Sequence, residues 1–289
     1  MKNIIPIILG ILLASVSFFY LDKEGEATNI HQLFGYDEKL FYEGIIQASR
    51  EPSEDSQDII GGVIPHHLLA SFMIADFFDR LKEQNPQTII LIGPNHFEKG
   101  DFIVLSSLYD WQTPFGRVQA DQEIIADLVD SNLARIDEST LSQEHAIGSV
   151  TPFINFYLPR AKIVPIVLSP NMKQEQALIL AEKLSLHASP KTVIIASVDF
   201  SHYLHGSEET KKDEITLEAM KNFNYSKLYT MNSDYLDSYN SVAVLLMAME
   251  KKGIDDFKVL NHTNSSEILG DNSIETTSYF EVVFNPTKK

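Results

Sequence analysis

Short continuous apolar runs alternate with longer segments of helical spacing along most of the chain. A continuous apolar run predicts a strand covered on both faces, because a strand with one solvent-exposed face alternates apolar and polar positions. Runs of this kind lie at 59–65, 88–94, 102–107, 161–168, 191–200, 257–262 and 278–284. Helical spacing covers 68–84, 120–132, 173–188, 207–222 and 238–252. This alternation predicts an α/β fold with a mostly parallel or mixed central sheet flanked by helices.

The N-terminal part of the chain follows a different pattern. In residues 1–22 a single Lys precedes an apolar run over residues 4–20, which is typical of a signal peptide or an N-terminal membrane anchor. Residues 23–58 are polar and are interpreted as an N-terminal segment and linker, and residues 59–289 as the α/β domain. The pattern predicts an extracytoplasmic or membrane-anchored protein, with a cytoplasmic location as the alternative.

Composition narrows the chemistry that the chain can perform. Among its 289 residues, 23 are Lys or Arg and 40 are Asp or Glu, so the net charge is −17. A field of this sign repels phosphate backbones, and nucleic acid is therefore not an expected partner. The chain has no Cys, which excludes a thiolate nucleophile and any Cys-ligated metal site. Any metal must be bound by His, Asp or Glu.

Histidine recurs directly after three of the predicted strands. His66 and His67 follow the first apolar run, and His96 follows the second. Asp199 lies at the end of the run at 191–200, and His202 comes just after it. The carboxyl ends of parallel strands lie along one edge of a sheet, where ligands bind. These side chains are therefore expected to converge on one crevice. His67 is the weaker candidate, because normally only one of two adjacent side chains faces a crevice.

Other titratable residues carry weaker signals. Glu144 and His145 begin a predicted helix, so Glu144 is either a helix cap or part of the crevice wall beside His145. Three further histidines lack a supporting pattern and are expected at the surface: His31, His187 and His205. His262 follows a strand without a motif, and a structural role is expected for it.

Six sequence motifs occur in order along the chain. They are GGVIPHH (61–67), LIGPNH (91–96), TPFGRV (113–118), EHAIGSVTPF (144–153), SVDFSHY (197–203) and SVAVLLMAM (241–249). Together they resemble the Memo family, whose bacterial and archaeal members are often called AmmeMemoRadiSam system protein B. The resemblance implies a fold similar to that of the class III extradiol dioxygenases, which bind non-haem iron. The family name also implies radical-SAM and AMMECR-type partner proteins.

The resemblance further implies a mononuclear metal site. Memo proteins bind iron or copper through two His and a Cys, and the motifs place the two His at His66 and His96. An ungapped count from the last motif places the Cys position at Asp237, with Asp234 as a nearby competitor. Asp237 has an alternative reading as a helix N-cap. Two His and one carboxylate are the facial triad of non-haem Fe(II) oxygenases, so Fe(II) is the expected cofactor, with copper or zinc as alternatives.

The same resemblance suggests how protons move in the crevice. His202 matches the acid/base His of the dioxygenase relatives, and imidazole is the side chain that most readily exchanges protons near neutral pH. Asp199 is expected either to orient His202 or to support a metal ligand. Gly148 stands where the family commonly has Glu, so whatever that carboxylate does elsewhere cannot occur here.

These expectations lead to one function and two alternatives. The favoured function is that of a non-haem iron redox enzyme of dioxygenase type. The first alternative is a non-catalytic protein that binds a small molecule or a peptide in the same crevice. The second is a metal-dependent hydrolase, since a bound metal can generate hydroxide near neutral pH.

Overall fold

The computed structural model of the chain describes residues 29–48 and 58–286. The described residues from His31 onward belong to one compact unit. The predicted signal peptide or anchor over residues 1–22 lies outside the described residues and stays a prediction. Within the described ranges, no helix is long and apolar enough to cross a bilayer.

The strands and helices follow the predicted alternation. The strands are β1 (Ile30–His31), β2 (Gly61–Ile64), β3 (Thr88–Pro94), β4 (Val104–Ser106), β5 (Asp110–Thr113), β6 (Gly116–Val118), β7 (Arg135–Ile136), β8 (Lys162–Leu168), β9 (Thr192–Ser197), β10 (Lys258–Asn264) and β11 (Ser278–Phe284). The helices are α1 (Glu38–Ala48), α2 (Ser71–Gln84), α3 (Gln122–Asp130), α4 (Glu138–Leu141), α5 (His145–Gly148), α6 (Thr151–Tyr157), α7 (Gln174–Ser185), α8 (Ser207–Lys221), α9 (Tyr225–Leu228), α10 (Tyr239–Lys251) and α11 (Ser265–Leu269).

In the part of the chain that the structure describes, eight strands form a mixed sheet in the order β10-β11-β2-β9-β3-β8-β4-β7. Its four central strands are parallel: β2 pairs with β9, β9 pairs with β3, and β3 pairs with β8, each in parallel. Towards the edges, β11 and β4 run antiparallel to their inner neighbours. This architecture confirms the predicted α/β fold with a mixed central sheet.

Helices cover both faces of the sheet, as the continuous apolar runs require. Along β3, Ile90 and Ile92 pack in one core cluster, while Ile89 and Leu91 pack in another. Successive side chains of a strand point to opposite faces, so the two clusters lie on opposite sides of the sheet. All seven residues of β3 are buried. Burial on both faces explains why this strand is apolar throughout.

One histidine expected at the surface is buried instead. His31 is only 3% exposed, and its ring packs against Trp111 with centroids 4.5 Å apart. Its Nε2 lies 2.8 Å from the Ser107 hydroxyl and 2.9 Å from Glu138 Oε2. The prediction failed because both polar partners are far along the chain, and no local pattern announces them.

Candidate metal centre

The ends of β2 and β9 are tied together beside the candidate site. The His66 N–H donates to Asp199 Oδ1 at 3.1 Å, and Asp199 follows β9 by two residues. The Ser149 hydroxyl donates to the His66 carbonyl oxygen at 2.9 Å. The backbone of His66 is therefore held on both sides, which fixes where its ring enters the cleft.

Two imidazoles in the cleft face a single carboxylate oxygen. Asp237 Oδ2 lies 3.2 Å from His66 Nε2 and 3.7 Å from His96 Nε2. The two rings are nearly perpendicular, at 87°, with centroids 5.1 Å apart. Metal bonds to such atoms are about 2.0–2.2 Å long, so donor atoms at these separations can share one ion after small shifts. The structure thus brings together the three residues predicted as ligands, and their role as ligands stays a prediction.

The other oxygen of Asp237 also fits a cation. Asp237 Oδ1 is buried and has no hydrogen-bond partner among the described residues. A buried carboxylate oxygen without a donor costs free energy, and a bound cation compensates that cost. The backbone nearby is fixed, since the Asp237 N–H donates to the Asp199 carbonyl oxygen at 3.0 Å. In return, the Asp199 N–H lies 3.3 Å from Asp237 Oδ2.

The two alternatives considered for this position do not fit the geometry. Helix α10 is capped by Ser238, whose hydroxyl accepts from the Ser241 N–H, so Asp237 is not the N-cap. The competitor Asp234 is paired with Lys212 instead, at 3.5 Å between Oδ2 and Nζ. Asp234 is also absent from the residues that line the cleft.

Glu144 orients His96. Its Oε1 lies 2.6 Å from His96 Nδ1, and its Oε2 accepts from the His96 N–H at 3.0 Å. The same carboxylate caps helix α5 by accepting from the Ala146 N–H at 3.0 Å. Cap and crevice wall, offered as alternatives by the sequence, are therefore both present. A proton on Nδ1, shared with Glu144, leaves His96 Nε2 free to face Asp237.

The charged groups in the cleft shift one another's pKa values. Burial acts to lower the pKa of His66, but Asp199 and Asp237 outweigh it and raise that pKa. Burial opposes the same shift at His96, yet hydrogen bonds to Asp237 and Glu144 raise its pKa to about 10. Burial acts to raise the pKa of Asp237, but His66 and His96 hold it far below its usual range. The protons on these imidazoles are the ones that a metal ion would replace.

His145 adds a third imidazole to the cleft. Its ring stacks on His96 with centroids 4.0 Å apart and an interplanar angle of 26°. Burial, with the nearby His66 and His96, lowers the pKa of His145 to about 4. Donor atoms of His66, His96 and His145 lie within 4.8 Å of one another, as do those of His66, Asp199 and Asp237. His145 is thus a neutral imidazole beside the predicted ligands.

Asp199 and His202 are near each other without the expected contact. Asp199 Oδ1 accepts from the His66 N–H, and its Oδ2 lies 3.5 Å from His66 Nε2. No hydrogen bond joins Asp199 to His202 in the described part of the chain, where His202 Nδ1 is buried without a partner. Asp199 therefore supports His66 and does not orient His202. His202 does line the cleft.

The sequence did not predict a contact between His67 and Tyr279 at the cleft. His67 lines the cleft together with His66, although only one of the two was expected there. Its Nδ1 lies 2.5 Å from the hydroxyl of Tyr279, which is buried in β11. A lone Tyr within an apolar strand gives no local sign of such a contact, so the pairing was not predictable.

The cleft has the size and lining of a ligand site. Its volume is about 880 Å³, which lies within the range of roughly 300–1,000 Å³ that is usual for small-molecule pockets. Besides the histidines, aromatic side chains line it: Phe34, Tyr203 and Tyr239. It therefore has room for a ligand next to the predicted metal position.

Gly148 is required by close packing. A Cβ atom at Gly148 would lie 2.3 Å from the Phe34 carbonyl oxygen and 2.9 Å from the Phe34 nitrogen. The Phe34 backbone thus occupies the space that the family's Glu would need. This contact gives a physical reason for the departure from the family motif.

We expect Gly148→Ala to destabilise the chain by about 1–3 kcal/mol, because the added methyl group overlaps backbone that cannot rotate away. Urea unfolding of the variant measures the loss. The control is Ser139→Ala, an exposed position nearby. An unfolding free energy equal to that of the wild type would mean that the Phe34 segment moves freely.

Comparisons with known proteins agree with the motifs. The family model described as "Memo-like protein" matches residues 38–283. A MEMO1 family protein of Pyrobaculum aerophilum is 27% identical over 238 residues, which covers 78% of this chain and 84% of the relative. One from Methanosarcina barkeri is 30% identical over 226 residues, covering 74% and 83%.

A solved structure also resembles the chain. It is that of an uncharacterized protein from Escherichia coli K12, with a TM-score of 0.51 and 14% sequence identity. The similarity covers 77% of this chain and 99% of that one, and at this identity it shows the fold alone. Because the family model spans most of the sequence, the chain belongs to the Memo-like protein family.

Proposed function

We propose that the chain is a metal-dependent redox enzyme that binds one divalent ion between His66, His96 and Asp237. The observation that supports the proposal most is the approach of two imidazole Nε2 atoms to one oxygen of Asp237. The buried, unpartnered second oxygen of Asp237 adds to it. None of the described residues donates a hydrogen bond to Asp237 Oδ1, whereas a cation can interact with both oxygens of this carboxylate.

The donor set favours Fe(II). Two imidazoles and one carboxylate form the facial triad of non-haem Fe(II) oxygenases, whereas soft Cu(I) prefers thiolate or thioether ligands. Copper(II) and zinc remain the alternatives that imidazole also suits. When bound, iron in such a triad supplies one-electron chemistry with O₂ and leaves coordination positions open for substrate.

The surrounding side chains have separate tasks in this proposal. Glu144 keeps a proton on His96 Nδ1, so that His96 presents Nε2 to the ion. Asp199 holds the backbone of His66. His202, whose Nδ1 is buried without a partner in the described ranges, exchanges a proton with the substrate. His145 stays neutral and accepts a hydrogen bond from the substrate.

Metal content tests the ligand assignment. We expect the wild type, loaded anaerobically with Fe(II) and desalted, to retain one more equivalent of iron than a His66→Ala, His96→Ala double variant. His205→Ala is the control, since His205 is exposed and lies outside the cleft. Equal iron content in the wild type and the double variant would remove the assignment.

Oxygen uptake tests the reaction type. The iron-loaded chain is expected to consume O₂ when it is supplied with catechols or related aromatic diols, and the double variant is expected to consume none. Iron binding without O₂ uptake on any such compound would favour a ligand-binding protein. Ester or amide cleavage under the same conditions would favour the metal-dependent hydrolase.

Glu144→Gln tests the orientation of His96. The amide group places an N–H donor or a weaker acceptor against Nδ1, so we expect the Fe(II) affinity of the cleft to fall about 10–100-fold. Glu98→Gln is the matched control, because Glu98 also lines the cleft and loses the same charge. If both variants lose Fe(II) affinity to the same extent, the lost charge alone accounts for the change and Glu144 does not position His96; unchanged affinity in Glu144→Gln would contradict the prediction as well.

A further inference from the structure

A second cluster of potential ligands lies outside the cleft, between α8 and β10. Glu209 and Asp213 are four residues apart on α8 and so share one face of the helix. His262 of β10 faces them, and one donor atom from each of the three residues lies within 4.8 Å of the other two. None of the three lines the cleft.

Each side chain of the cluster is held in place. His262 Nε2 lies 2.8 Å from Asp213 Oδ2, while the Ser278 hydroxyl donates to Asp213 Oδ1 at 2.8 Å. The ring of His262 stacks on Phe280, with centroids 4.0 Å apart and an interplanar angle of 15°. The imidazole and the carboxylate therefore meet without further ordering of either side chain, which reduces the entropy lost on binding.

Both carboxylates of the cluster are buried. Glu209 is 3% exposed, and Asp213 is 2% exposed. Asn264 Nδ2 donates to Glu209 Oε2 at 3.2 Å. Two neighbouring carboxylates so far removed from water lose solvation free energy, and a bound cation compensates such a loss.

The cluster carries more negative than positive charge. Two carboxylates are buried side by side, and no Lys or Arg of the described residues forms an ion pair with either. Burial, then the neighbouring Asp213, raises the pKa of Glu209 to about 7. A divalent ion would neutralise both carboxylates together, whereas His262 alone supplies at most one positive charge.

We propose that Glu209, Asp213 and His262 form a second metal site, distinct from the cleft, that takes a divalent first-row ion such as Zn²⁺. Carboxylate oxygens and imidazole nitrogens both bind Zn²⁺. The side chain of His262 is 40% exposed, so water has access to a remaining coordination position. The ion would take the place of the hydrogen bond between His262 Nε2 and Asp213 Oδ2.

The site would brace one wall of the cleft. It joins α8 to β10, and through Ser278 it reaches the segment that carries His202. The Ser201 hydroxyl donates to the Ser278 hydroxyl at 3.1 Å, one residue before His202. Occupation of the second site therefore stabilises the region behind His202 without contact to the cleft ligands.

Zinc binding tests the second site separately from the first. The full chain is stripped with chelator and titrated with Zn²⁺ in competition with a fluorescent zinc indicator. We expect the affinity of one zinc equivalent to fall by more than about 100-fold in His262→Gln, beyond the effect usual for residues behind a metal ligand. At zinc concentrations that saturate the wild type, the variant therefore binds one equivalent less. The variant keeps an N–H donor for Asp213, and circular dichroism checks that it folds. His205→Gln, at an exposed histidine, is the control.

The His66→Ala, His96→Ala variant separates the two proposals. One equivalent is expected to remain in it and to be lost when His262→Gln is added. If only the cleft proposal is wrong, the wild type and the double variant each bind one equivalent, which His262→Gln removes. If His262→Gln binds zinc as the wild type does, or if Zn²⁺ is lost equally in His205→Gln, the second site is overturned.

Discussion

Asp237→Asn is expected to lower the Fe(II) affinity of the cleft by more than about 100-fold. This is more than the effect usual for residues that only hydrogen-bond to a metal ligand. Asn has the same shape, so its side-chain oxygen can still accept from the Asp199 N–H, now 3.3 Å from Asp237 Oδ2. What disappears is the negative charge between His66 and His96. Anaerobic titration of Fe(II) against a chromophoric chelator measures the change.

Asp234→Asn is the matched control for this prediction. The substitution makes the same chemical change three residues earlier, at an aspartate that pairs with Lys212. Its Fe(II) affinity is expected to equal that of the wild type. If the two variants bind Fe(II) alike, Asp237 is not a ligand, and the resemblance would have misplaced the third position of the site.

The metal-free chain is expected to lose stability as the pH rises from about 6.5 to about 10. In the folded chain the carboxylates Asp237 and Glu144 raise the pKa of His96 from 6.5 to about 10. A raised imidazole pKa contributes stability that is fully present below the unfolded value and is lost as the pH passes through the folded value. A rise of this size corresponds to a loss on the order of 4 kcal/mol at one imidazole.

Urea unfolding between pH 6 and 9.5 in the presence of chelator measures this effect, and His96→Gln isolates it from other titrations. The variant is expected to show a clearly shallower fall in unfolding free energy over that range. With saturating metal the trend is expected to reverse, because the ion binds the deprotonated rings and its affinity rises with pH. Identical pH profiles for the wild type and His96→Gln without metal would contradict the assignment.

The sequence predicted the buried strands of the central sheet well. The apolar run at 88–94 coincides with β3, and the run at 278–284 coincides with β11. Strands buried on both faces leave a continuous apolar signature that depends on no distant residue. Next to the sheet edge, the run at 102–107 shrinks to Val104–Ser106 of β4. The length of this strand is set by its pairing with β8 and β7, and apolarity does not mark where pairing stops.

Side-chain pairings were much less accessible to sequence reasoning. The sequence left Glu144 as a cap or a wall residue, and only the structure places it 2.6 Å from His96 Nδ1. His31 was expected at the surface and is buried. The sequence placed His262 after a strand, whereas it lies within β10 and faces Asp213 of α8, a contact that no local pattern indicates. Each of these contacts joins residues that are far apart along the chain. A local sequence pattern does not show which distant residues will meet.

The sequence by itself determined that the chain is an α/β protein and that His66, His96 and His202 come directly after predicted strands. Periodic burial and strand–helix alternation are local properties, so they can be read from the order of residues. Only the tertiary structure decided that Asp237 meets His66 and His96 at 3.2 and 3.7 Å. That meeting depends on strand order and on how α10 packs against the sheet, and these follow from the collective packing of the whole core.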